Sequence, residues 1–207
     1  MKKTVLTFVF ICSFSLISIA QQKKGDIEFD INVGLNRSTV SNSKGSADTK
    51  LGVNIGFATD YYFSNRWSFK GKLIYDQKGW NKGFINDLST GNRYKSIINL
   101  NYLTLPVLAN WHFGGKRNWY LDFGPYVGFL INANENTYNT NLKSCFNTTD
   151  FGLSLGIGVK IPVSKKLKIS LEYEEQSGFL EIFKENYDYI LTNNRGSLNL
   201  GINFLMK

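Results

Sequence analysis

The stretch Asn101 to Leu130, NYLTLPVLANWHFGGKRNWYLDFGPYVGFL, decides the fold. Its first arm places Leu103, Leu105, Val107, Ala109 and Trp111 at odd positions. The second places Trp119, Leu121, Phe123, Pro125, Val127 and Phe129 there, and Ile131 continues the row. Even positions of the second arm read Tyr120, Asp122, Gly124, Tyr126 and Gly128. Alternation with period two puts these rows on opposite faces of a strand. Phe113 to Asn118, rich in turn formers, joins the arms as a β-hairpin. A turn centred near Gly115 predicts Trp111 and Trp119 as a cross-strand pair. The arms exceed the usual strand of about 5–6 residues and match the roughly 9–11 that cross a bilayer.

The same alternation recurs on both sides. Ile27, Phe29, Ile31, Val33 and Leu35 oppose Glu28, Asp30, Asn32 and Gly34; Leu51, Val53, Ile55 and Phe57 oppose Gly52, Asn54, Gly56 and Asp60. Trp67, Phe69, Leu73 and Tyr75 oppose Lys70, Lys72 and Asp76. After the hairpin come Phe151 to Ile161 opposing Gly152 to Lys160, then Leu167 to Tyr173 opposing Lys168, Glu172 and Glu174, and last Leu198 to Phe204 opposing Asn199 to Asn203. Eight strands result. Short turns fall at 63–66, 113–118 and 163–166, while Ser38–Lys50, Lys78–Ser96, Asn132–Thr149 and Ser177–Asn194 form long loops at the other end. Even strand number and short-against-long connections predict an all-β, eight-stranded antiparallel up-and-down transmembrane barrel, with both termini periplasmic.

Residues 1–20 read as a signal peptide, with Lys2 and Lys3 ahead of an apolar run and Ser18-Ile19-Ala20 as a small-x-small cleavage site, which leaves 21–207 as the barrel. Cleavage takes Cys12 with it and leaves Cys145 alone, so no internal disulfide is available. The net charge of +8 falls to +6 without Lys2 and Lys3. In an exported chain a basic balance points to anionic lipid or polysaccharide surfaces, and no nucleic acid is expected.

On the apolar parity, Tyr61, Trp67, Trp111 and Trp119 cluster beside the short turns as an aromatic girdle. On the polar parity, Glu28, Asp30, Lys70, Lys72, Asp122, Lys160, Lys168, Glu172 and Glu174 predict a charge network filling the lumen, with Tyr102, Tyr120 and Tyr126 reaching across beside lumen glycines. Alternation alone leaves a soluble periplasmic barrel around a hydrophobic ligand as the inverted reading. A lipid-modifying outer-membrane enzyme is the other alternative. His112 is the single histidine, which excludes a multi-histidine metal site within the chain, and no catalytic residue or cofactor is assigned. Lys78, Lys82, Arg93 and Lys95 in the second long loop, with Trp80 and Phe84 as anchors, are candidates for lipopolysaccharide contact. Pro106 and Pro125, at similar depth on adjacent strands, imply a local break in the ladder.

Leu100-Asn101-Tyr102-Leu103-Thr104-Leu105-Pro106, Gly124-Pro125-Tyr126-Val127-Gly128 and Tyr75-Asp76-Gln77-Lys78-Gly79 resemble the PorT-like outer-membrane β-barrel domain family of Gram-negative bacteria, as do Val33-Gly34-Leu35-Asn36 and Leu200-Gly201-Ile202-Asn203-Phe204. The resemblance covers nearly the whole of 21–207. It implies a barrel of the outer membrane. With the single histidine at the short-turn end, the chain reads as a structural or interaction protein and not an enzyme, with outer-membrane lipid, lipopolysaccharide and envelope or secretion proteins as expected partners.

Overall fold

The computed structural model describes residues 22–86, 91, 93–185 and 190–206; residues 1–20, which the sequence suggests are a signal peptide, lie outside them. Eight long strands follow in chain order: β1 (Ile27–Asn42), β2 (Asp48–Tyr62), β3 (Trp67–Asn86), β4 (Arg93–Phe113), β5 (Trp119–Glu135), β6 (Thr149–Pro162), β7 (Leu167–Gly178) and β8 (Thr192–Met206). Each pairs antiparallel with the next, and β1 pairs with β8 from Ile27↔Met206 to Ser41↔Thr192, which closes the barrel. A two-residue strand, Gly45–Ser46, folds back on the end of β1, and a 3-10 turn, Lys143–Cys145, lies in the connection from β5 to β6.

Alternation sorts the faces as the sequence predicts. In β6 every even residue from Asp150 to Pro162 is buried, and the odd ones face outward. The outward rows are Ile, Leu, Val and Phe, and the buried even rows carry carboxylates, lysines and amides. A soluble barrel around an apolar ligand needs the opposite sorting, so the inverted reading fails. On β1 the outward apolar row runs from Ile27 to Leu35 and ends at Arg37. Arg37 lies across from Gly196, which pairs in turn with Glu175, so a belt of charge crosses three strands at one depth. Roughly ten residues at about 3.3 Å each, tilted about 40°, give the apolar band of about 25 Å that an outer membrane covers.

Two expectations about connections need correction. Trp111 pairs with Leu121, and Trp119 with Phe113, so the two tryptophans do not oppose each other. The cause is the turn: Phe113 stays in the strand, and Gly114 (φ 81°) and Arg117 (φ 54°) make the reversal, centring it near Lys116. Trp111 pairs instead with Trp67 across β3 and β4, their rings 6.3 Å apart. Much of the sequence reading's long loops is also strand. β3 continues to Asn86 and β4 begins at Arg93, so a two-stranded ribbon stands well beyond the apolar band. Its bulge lies between Trp80 and Gly83. There Gly79, at φ 128°, leaves no space for a side chain, since a Cβ would sit 2.0 Å from the Ile98 carbonyl oxygen.

The prolines do interrupt the ladder. Pairing of β4 with β3 lapses between Gly71↔Val107 and Ile74↔Thr104, and with β5 between Pro106↔Tyr126 and Ala109↔Phe123. Neither lapse shifts the register, because each proline only withdraws its own donor. The wall stays closed there: a Cβ on Gly124 would approach the Val107 carbonyl oxygen to 2.3 Å.

Candidate functional site: the filled lumen and its outer cap

Nearest the short turns, Lys160 of β6 meets Glu28 of β1, and Asp60 of β2 at 2.9 Å, while Lys168 of β7 holds the second Glu28 oxygen at 2.6 Å. The other Asp60 oxygen accepts from Ser68 at 2.9 Å and Asn110 at 3.0 Å. His112 lies here too, 1% exposed, its Nε2 3.2 Å from the Ser68 hydroxyl. A serine standing between the aspartate and the imidazole is the wrong order for a nucleophilic triad, in which the histidine stands between the other two. Tyr120 separates this cluster from the next. Its ring lies 5.4 Å from the Lys160 ammonium and 4.2 Å from that of Lys70, and its hydroxyl donates to Glu172 at 2.8 Å. The ring fits because residue 158 is glycine; a Cβ there would fall 2.4 Å from it.

At mid-depth, Lys70 meets Asp122 at 2.7 Å and Glu172 at 3.4 Å, and Lys72 meets Glu172 at 2.5 Å and also Glu174. Glu174 passes the chain of charges to Arg195 of β8, which reaches Asp76 at 3.4 Å; Asp76 is 3.9 Å from Lys78, and Lys78 is 3.1 Å from Asp150. Tyr126 and Asn193 donate to the same Asp150 oxygen, each at 3.2 Å. Charges inside a barrel wall persist only when paired and hydrogen-bonded. Charged side chains from seven of the eight strands share this task, and β4 adds Asn110 and Thr104 as hydrogen-bond donors.

Above Asp150 the filling changes character. Val40, Trp80, Ile98, Leu100, Tyr102, Leu130, Ala133, Phe146 and Ile182 form a buried apolar cluster at the end of the barrel opposite the short turns. Trp80 meets Phe146 and Phe183 edge-on, each at 6.1 Å, and those two phenylalanines stack at 4.8 Å. Beside them, Glu135 organises the connection after β5. Its carboxylate accepts from the Thr137, Tyr138 and Thr140 backbone N–H groups at 2.6, 2.8 and 3.0 Å and from the Ser96 hydroxyl at 2.7 Å. Burial pushes this carboxyl up, but the four donors outweigh it and bring it down to about 2.

All nine lumen residues named from sequence face inward and are buried. Eight enter ion pairs; Asp30 instead meets Asn32 and the Ser170 hydroxyl, the latter at 3.2 Å. Asp60, Asp76, Lys78, Asp150 and Arg195 also belong to the network, and Glu135 was missed altogether. Extending the polar parity one step back from Gly152 and two steps back from Asn199 would have found Asp150 and Arg195. The girdle residues Tyr61, Trp111 and Trp119 face outward, with Trp67 half-buried beside Trp111. Among the candidates for lipopolysaccharide contact, Lys78 must be withdrawn: it is 1% exposed, because the strand parity continues through the supposed loop and turns it into the lumen. Trp80 likewise points inward. Lys82, paired with Asp48 at 2.7 Å, and Arg93 and Lys95 remain at the surface.

The model of the outer membrane protein beta-barrel domain matches residues 19–183. The chain belongs to that family. Its place is therefore the outer membrane. Among solved structures, it resembles OprG of Pseudomonas aeruginosa (TM-score 0.55, 10% identity, 90% of this chain and 98% of that one). It also resembles the outer membrane protein AlkL (0.53, 11%, 91% and 93%) and Neisserial surface protein A (0.51, 15%, 85% and 96%). At such identities the likeness establishes the barrel fold. Comparison with curated protein sequences gives no match.

Proposed function

We propose that this barrel is an interaction protein of the cell surface and not a channel or an enzyme. The continuous filling from Lys168 to the Trp80–Phe146 cap carries this reading, since among the described residues it plugs the lumen, and it puts the accessible chemistry on the distal connections. In this reading the leader 1–20 directs export, both termini lie in the periplasm with the short turns, and the β3–β4 ribbon stands in the medium. Lys82, Arg93 and Lys95 would meet lipopolysaccharide phosphates, where each basic residue near an anionic surface adds about 1 kcal/mol. The PorT-like resemblance supports envelope or secretion proteins as the partners of the loops.

The test combines conductance and topology. Protein reconstituted in planar bilayers should give no steady pore conductance, and a membrane-impermeant maleimide should label Cys145 on intact cells, since that residue is exposed in the connection after β5. A stable open pore, or labelling that requires cell lysis, would overturn the reading.

A further inference from the structure

The cap contains a cavity of about 230 Å³ that the filled lumen does not use. Trp80, Phe84 and Ile98 of the ribbon line one side, and Leu142, Cys145, Phe146 and Phe183 of the neighbouring connections line the other. The side chains that line it are apolar apart from the Cys145 thiol and the Trp80 indole N–H, although the walls keep a minority of polar surface. For scale, an engineered apolar cavity on the order of 150 Å³ stays dry and binds benzene. One ring or one short alkyl chain fits here.

The rim adds a charge. Phe84 carries the Arg93 guanidinium 3.9 Å above its ring centre and the Lys95 ammonium at 5.1 Å. Glu181, in the connection that supplies Phe183, accepts from the backbone N–H groups of Phe183 and Leu191. The cavity lies beyond Gln77, where the outward apolar row of β3 ends, so its occupant arrives from the aqueous side and is not an acyl chain of a bilayer lipid. We propose that this cavity is a binding site for a small diffusible amphiphile with one apolar ring or short chain and one carboxylate, the apolar part among Trp80, Phe146 and Phe183 and the carboxylate at Arg93 and Lys95.

Sodium octanoate is the probe, and Cys145 the reporter, because it lines the cavity and is the one cysteine outside the leader. The full barrel is placed in phosphatidylcholine nanodiscs without lipopolysaccharide, which removes the other anion assigned to Arg93 and Lys95. Octanoate should slow maleimide labelling of Cys145 saturably, at least threefold, and octanol should bind about two- to fivefold more weakly, as expected for a solvent-accessible ion pair. The pair R93Q/K95Q should abolish that preference, and Leu142→Trp, which fills the cavity, should abolish protection. If Leu142→Trp fails to fold, Ile85→Phe, at a residue that also lines the cavity, fills it from the ribbon side. Labelling unaffected by octanoate in a barrel shown to be folded by its gel mobility would overturn the site. So would equal protection in the filled variant, and equal affinity for octanoate and octanol would overturn the carboxylate assignment.

Discussion

The lumen from Glu28 to Asp150 and the cap from Trp80 to Phe183 are both buried, yet opposite physics holds them. In the lumen nearly every charge, Asp30 apart, is stable because another charge faces it, so the parts are interdependent. In the cap, aromatic and aliphatic groups contribute by contact area, and the loss of one leaves no stranded charge. The barrel's stability should therefore be cooperative through the lumen and separable at the cap.

The largest effect should follow from Lys72→Met. It takes one of two cations from each of Glu172 and Glu174, leaving them to Lys70 and Arg195, and breaking a buried pair on one side costs about 3–5 kcal/mol. The urea midpoint of the reconstituted barrel should fall, and much of the protein should lose its heat-modifiable gel mobility. An unchanged midpoint would mean that Lys70 and Arg195 satisfy those carboxylates without Lys72. Trp80→Ala removes the aromatic centre of the cap, a truncation of about 3–5 kcal/mol if fully felt. It should make residues 136–148 and 179–185 sensitive to protease while the gel shift on boiling persists. A simultaneous loss of the gel shift would show that cap and lumen are one unit.

A smaller effect concerns pH. The Glu135 carboxyl is held at about 2, below the ordinary 4.5, so its contribution is fully present above about pH 4.5 and is lost as pH falls toward 2. Pepsin cleavage within 136–140 should rise over that window, and Glu135→Gln should be cleaved at a rate that no longer varies there. Smallest of all, Lys82→Gln should leave the urea midpoint unchanged, because its pair with Asp48 is exposed to solvent. A drop would place that pair among the cap's structural contacts.

The same two regions differ in how much the sequence discloses. Period-two alternation marks most lumen side chains between Glu28 and Glu174, because a strand has only two faces and lipid forces the apolar one outward. Strand number and end-to-end asymmetry follow from the same pattern. The cap lacks such a rule: Phe146 and Ile182 come from irregular connections, and nothing local says that they meet Trp80. Lys78 shows where parity was abandoned too early, since the glycines at 79 and 83 read as loop but support a bulged ribbon. The Trp111–Trp119 pairing failed for a different reason, because a left-handed Arg117 sets the turn and one shifted turn residue moves every partner by two.

The account's central claim is a lipid-facing barrel around a charged lumen, and the direct measurement is an outer-membrane fraction run on a denaturing gel with and without boiling. The account predicts a band in that fraction whose mobility changes on heating. A soluble periplasmic band with no shift would contradict it and put the apolar rows on the inside.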